Sequence, residues 1–186
     1  MGVLTLKSIH ERQPLFSMND ATTPVISAGL YTPEERARRD ATIWTPVQGF
    51  LAAFQFIVFA VSVCLIARFM VTGQGETAAV WSVVFKTLVL YTIMITGSIW
   101  EKVVFDKWLF AHSFFWEDVF SFLVLGLHTA YLWSLYTGNM TTHQQLWLAL
   151  AAYAAYAINA GQFLLKLRAA RVQERATLAM HRELAA

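Results

Sequence analysis

Glu101, Glu117 and Asp118 are the residues best placed by type and spacing to do chemistry. They lie in "GSIWEKVVFDKWLFAHSFFWEDVF", Gly97 to Phe120, which says Trp-Glu twice between two long apolar runs. A carboxylate beside lipid is expensive and marks function by default. Neighbouring carboxyl groups at a low-dielectric edge disfavour each other's charge, so one holds a proton while another can accept one. That is the equipment of general acid–base catalysis.

The spacing assigns roles. Asp118 points about 100° away from Glu117 on an ideal helix, which suits orienting or capping. Glu101 and Glu117 are therefore expected to face each other and share the acid–base work. Glu101 ends a helix, where the dipole opposes negative charge, and is the candidate acid. Glu117 begins one, where the dipole favours it, and is the candidate base. A plainer account is available for each. The dipole alone would explain Glu117 and Asp118, Lys102 or Lys107 could neutralise Glu101, and Trp100 and Trp116 fit an interfacial aromatic belt.

Deeper in the apolar runs, His128 lies about eleven residues beyond Glu117, on the same helical face as Ser121, Val124 and Tyr131. Thr87, Tyr91, Ser98 and Glu101 share one side of the preceding run, and Asn159 and Gln162 follow an alanine-rich stretch, Ala149–Ala157, that allows close helix approach. His128 could bond to Asn159, or ligate a metal as neutral imidazole. Lys86 and Arg68, near run ends, are expected to snorkel.

These residues need elements to hold them. The chain of 186 residues is 57% hydrophobic and only 14% charged, against about 25% charged for a soluble domain. Four apolar runs, about 47–70, 79–100, 114–136 and 146–165, are each long enough to cross a hydrocarbon core of about 30 Å as a helix. The expected fold is all-α: a polytopic membrane protein with a four-helix bundle over residues 30–171. Residues 1–29 read as a loosely ordered extension and 172–186 as a helical tail. Thr32-Pro33-Glu34-Glu35 predicts a capped surface helix before the first span. Thr45, Ser113, and Thr142 with Gln145, are the expected caps of the first, third and fourth spans.

Lys and Arg set the orientation. Arg36, Arg38 and Arg39, Lys102 and Lys107, and Lys166, Arg168, Arg171 and Arg175 all fall on one side, while segments 71–78 and 137–145 have neither residue. Both termini and the Trp-Glu loop are therefore expected to be cytoplasmic. The net charge of +2 gives no case for nucleic acid, and the lone Cys64 excludes intramolecular disulfides and cysteine-rich metal sites. Only His128 lies within a span, so a haem held between two histidines is not expected. No phosphate loop, zinc-binding His pair or nucleophile elbow is present. What remains suits acid–base chemistry on a flat, lipid-soluble molecule with a polar end, without a cofactor.

The strings "LYTPEERARRDATIWTPVQG", "LYTIMITGSIWEKVVFDKWLFAHSFFWEDVFS", "LHTAYLW" and "LAAYAAYAINAGQFLLKLRAAR" closely resemble the 3-vinyl bacteriochlorophyllide hydratase family of anoxygenic phototrophic bacteria, from about Leu30 to Arg171. The resemblance implies hydration of the C3 vinyl group of a chlorophyllide or bacteriochlorophyllide to 1-hydroxyethyl. It also implies the photosynthetic intracytoplasmic (bacterial inner) membrane, and other pigment-biosynthesis enzymes as partners beside membrane lipid. For such a substrate, His128 is the candidate axial ligand to the magnesium. Lys102, Lys107 or Arg39 could hold the propionate, and Tyr91, Tyr131, Trp100 and Trp116 could line the ring. A non-catalytic pigment-binding or assembly subunit, or a quinone- or lipid-interacting subunit, would share the bundle but would not need the acids.

Overall fold

A computed structural model describes residues 30–184 of the chain. The extension expected over residues 1–29 lies outside the described residues. The described chain is entirely helical: α1 Pro33–Ala41, α2 Trp44–Thr72, α3 Glu76–Phe105, α4 Phe115–Thr137 and α5 Thr142–Leu184. Helices α2, α3, α4 and the Thr142–Val172 part of α5 are each long and apolar enough to cross a membrane. In lipid, backbone polar groups must be satisfied within the segment, which long helices do.

Two turns fold the four long helices into hairpins. Gly73 ends α2 at φ 70° and Gly138 ends α4 at φ 62°. Each takes the left-handed conformation that glycine adopts without a Cβ penalty, and each returns its N–H to the last turn, Gly73 to Phe69 and Gly138 to Ser134. Hairpin α2–α3 packs closely along its length, as does α4–α5, and the hairpins touch each other more sparingly. They meet around Ile66, Val83, Tyr131, Leu146 and Tyr153, all nearly inaccessible. Ala149 and Ala152 are fully buried, so the small-residue stretch does bring helices together. The α2–α3 and α4–α5 turns carry no Lys or Arg, which leaves one charge-poor end and one basic end.

At the basic end α1 packs against α3. Its capping box is formed: Glu35 N–H donates to Thr32 Oγ1, and Thr32 N–H to the Glu35 carboxylate. Tyr31 stacks on Phe105 at 5.7 Å, with the Arg39 guanidinium 4.7 Å from the Tyr31 ring centre. Burial pushes the Tyr31 phenol up from its ordinary value, and Arg39 pulls against it.

The other caps differ from expectation, because tertiary partners claim the hydroxyls. Thr45 lies within α2, donates to the Arg39 carbonyl and accepts from Trp100 Nε1. Ser113 donates to the Leu30 carbonyl and leaves α4 without a side-chain cap. Thr142 donates to Glu76, and the reciprocal pair at the start of α5 is Thr141 with Gln144, one residue earlier than expected.

Candidate active site

The carboxylates gather where α3 ends and α4 begins. Glu101, Glu117 and Asp118 are each 6% exposed. The pairing corrects the one expected from helix phase. Asp118, not Glu117, meets Glu101: their carboxyl groups lie within hydrogen-bonding reach of each other. Glu117 instead pairs with Lys166 of α5, Oε2 to Nζ at 2.8 Å. The 100° between Glu117 and Asp118 is real, but it turns Asp118 toward α3 and Glu117 toward α5.

The connecting loop holds the pair. Phe110 N–H donates to Asp118 Oδ2 at 2.7 Å, and Ala111 N–H to Glu101 Oε2 at 3.3 Å. Phe110 does this at φ 58°, a left-handed backbone that costs a non-glycine residue on the order of 1–3 kcal/mol and clusters at functional sites. Asp106 also has a positive φ, 59°, where it ends α3. Behind the pair, Val104, Ala111 and Phe114 are almost fully buried.

The bases fall differently from expectation. Lys102 is committed to Asp106, at 2.6 Å to its carboxylate, and does not neutralise Glu101. That ammonium holds the exposed Asp106 carboxyl below the usual carboxylate range. Lys107 is exposed in the loop. The cation beside these acids is Lys166, which the sequence marks only as an orientation signal. Asn159, Gln162 and Lys166 fall at i, i+3 and i+7, a polar stripe that could have revealed it. The tryptophans also part company. Trp100 turns inward onto Phe105 and Phe114, while Trp116 is 68% exposed on the outer surface.

His128 belongs to a second group, far from the acids. It is fully buried; Nδ1 bonds to the Val124 carbonyl at 2.8 Å and Nε2 has no partner among the described residues. Asn159 does not reach it, but donates to Ser121 at 2.8 Å. Lys86 does not snorkel; it is fully buried beside His128, with Nζ 4.0 Å from the Tyr156 ring centre and no hydrogen-bond partner among the described residues. Arg68, by contrast, is exposed. Tyr131 is core, its hydroxyl 3.4 Å from the Val80 carbonyl, and Tyr91 bonds to Thr129 at 2.9 Å. Both therefore lie in the interior or between α3 and α4 rather than beside the carboxyl pair.

Ten residues of α4 separate Asp118 from His128, about 15 Å along the axis. In a magnesium chlorin, five bonds join the metal to the terminal vinyl carbon, a span of at most about 8 Å. An axial ligand approaches perpendicular to the ring, so ligation at His128 adds little reach in the ring plane. The axial separation of His128 and Asp118 thus exceeds the metal-to-vinyl span by about 7 Å before the reach of the two side chains is counted.

Comparison of the sequence with known proteins identifies a family. Residues 31–169 match the family described as 2-vinyl bacteriochlorophyllide hydratase. The chain belongs to that family. It is 62% identical over 157 residues to a 2-vinyl bacteriochlorophyllide hydratase of Rhodobacter capsulatus, covering 82% of this chain and 91% of that protein. It is 63% identical over 143 residues to one of Cereibacter sphaeroides, covering 77% and 89%. No solved structure matches. The matched stretch contains α1, the carboxyl pair, Lys166 and the interior group. The family name numbers the vinyl-bearing carbon 2, where the sequence reading numbered it 3.

Proposed function

We infer that this membrane protein is a vinyl bacteriochlorophyllide hydratase: it adds water across the vinyl group of the pigment, giving a 1-hydroxyethyl group, in bacteriochlorophyll biosynthesis. Membership of the hydratase family and the hydrogen-bonded Glu101–Asp118 pair support the reading together. Hydration moves no electrons, so the reaction consumes no redox cofactor.

A hydrogen bond between two carboxyl groups needs one proton between them, and this is the proton the reaction uses. The pair gives it to the terminal vinyl carbon. Positive charge develops on the carbon next to the ring, where the macrocycle delocalises it and the pair, now doubly ionised, stabilises it. Water attacks that carbon, and the pair takes back one proton from the attacking water. The carboxyls end as they began, and the product has gained one H₂O. The Phe110 and Ala111 N–H groups hold the pair in place through the cycle. Lys166 neutralises Glu117, so that a third negative charge does not oppose proton release.

The basic end, with the pair, lies on the cytoplasmic side, and the membrane is the photosynthetic intracytoplasmic one. The distribution of Lys and Arg supports the orientation. An apolar product favours transfer to neighbouring pigment-biosynthesis enzymes in the same membrane. Expression of the chain with a vinyl bacteriochlorophyllide, followed by mass analysis of the pigment, tests the activity. A gain of one water is expected; unchanged pigment retained by the protein would make it a pigment-binding subunit instead.

A further inference from the structure

We propose that the substrate ring reaches the carboxyl pair from the lipid side, docking on the exposed rings of Phe115 and Phe122, and that Phe110 covers Asp118 until the substrate takes its place. The proposal rests on the acid–base reading of Glu101 and Asp118.

Phe115, Asp118 and Phe122 stand at i−3, i and i+4 on α4, so they form one stripe along the helix. Two of the three are aromatic and largely uncovered, Phe115 at 45% and Phe122 at 41%; Asp118 between them is buried. The missing cover comes from the loop. The Phe110 ring lies 5.6 Å from Phe115 and 5.5 Å from Phe122, nearly parallel to the latter at 12°. It bridges the gap in the stripe that Asp118 occupies, while its own N–H binds Asp118 Oδ2. Its outer side is uncovered too, 39% exposed.

An exposed aromatic patch, with Phe110 stacked on Phe122 and tilted 50° to Phe115, thus lies beside a buried carboxyl on the outer side of α4. Flat π systems stack in offset on such rings. From Phe115 to Phe122 is seven residues, about 10 Å along the helix, enough to support a large macrocycle edge-on to the interface. Exposed Lys107 lies three residues before Phe110, where an anionic side group would emerge into water. The left-handed backbone of Phe110 is the kind of outlier that persists only where its surroundings hold it. Here two ring contacts and one hydrogen bond do so. A substrate ring that replaces the ring contacts leaves the hydrogen bond to Asp118 intact, so the patch can open without disturbing the pair. The occupant follows from continuity: whatever stacks on Phe122 has its edge beside Asp118.

The test combines photocrosslinking with kinetics, using vinyl bacteriochlorophyllide in lipid vesicles containing the full chain. A benzophenone amino acid replacing Phe122 should crosslink to the pigment, whereas one replacing lipid-exposed Trp147 on α5 should not. Phe122→Ala and Phe115→Ala should each raise KM about tenfold, the value of one lost stacking contact, with kcat nearly unchanged. Crosslinking at Trp147 and not Phe122, or unchanged KM in these variants, overturns the docking patch. Normal turnover in Asp118→Asn with crosslinking kept at Phe122 would instead overturn the acid–base reading and leave the docking patch standing.

Discussion

Asp118 meets Glu101 across the α3–α4 junction, while its chain neighbour Glu117 is held by Lys166 at 2.8 Å. Adjacent acids are thereby given different environments. One joins a second carboxyl and two loop N–H groups; the other joins an ammonium.

That division predicts unequal effects. Glu101→Gln and Asp118→Asn should each lower kcat by about 10²–10⁴, the usual loss for a positioned acid or base. Glu117→Gln should act mainly on stability, since it strands Lys166 beside Phe114. Glu117→Gln combined with Lys166→Met should recover part of that stability. Turnover and thermal unfolding of the four variants in detergent check this. A kcat lost only in Glu117→Gln would reverse the assignment.

The fold was legible because long hydrophobic runs are a property of the chain alone. The buried face of α4, from Ser121 through Val124 and His128 to Tyr131, follows from helical period and is found buried. The site was half legible. Residue type and depth marked the three acids, but which acid faces which helix depends on how α4 is rotated against α3 and α5. The Phe110 N–H bond to Asp118 fixes that rotation, and no local pattern announces a loop residue with positive φ that is not glycine. Lys86 misled for a similar reason. Near a run end a lysine ordinarily snorkels, but here the facing tyrosines of α5 enclose it.

The source of the added atoms follows from the proposed chemistry. Turnover in heavy water should place one deuterium on the new methyl group, and labelled water should supply the hydroxyl oxygen. Mass spectrometry of the product reads both. Oxygen derived from O₂ would mean a hydroxylation and rule out the hydratase mechanism.

Because His128 lies about 15 Å along α4 from Asp118, the magnesium of the substrate is expected not to bind through it. A magnesium-free vinyl substrate should bind as tightly to His128→Ala as to the unaltered protein, and the magnesium form should too. Equilibrium titration of pigment absorbance measures both. Weakened binding of the magnesium form alone, in His128→Ala alone, would restore the axial-ligand role and require the pigment to bind deep in the bundle.

Orientation is open to chemical labelling. A cysteine at Asn139, in the charge-poor turn, should react with an impermeant thiol reagent from the periplasmic side of intact cells, with Cys64 replaced by serine as background. Labelling only after the membrane is broken would invert the topology and place the carboxyl pair on the opposite face.

The interior group supplies the sharpest contrast with the carboxyl pair. Lys86 Nζ and His128 Nε2 are buried without hydrogen-bond partners among the described residues, about one-third of the way along α3 from the charge-poor end. A buried polar group left unsatisfied costs about 1–3 kcal/mol, and a methionine of similar length removes that cost while filling the same space. Lys86→Met should therefore stabilise the protein by about that amount or leave its stability unchanged, and should leave turnover near normal, since fifteen residues of α3, roughly 22 Å, separate Lys86 from Glu101. Thermal unfolding in detergent and the rate of hydration read the two effects separately. A stable Lys86→Met protein that has lost hydration would move the chemistry into the bundle interior, with Lys86 and His128 as its acid–base pair and the carboxyls at the basic end reduced to holding the loop.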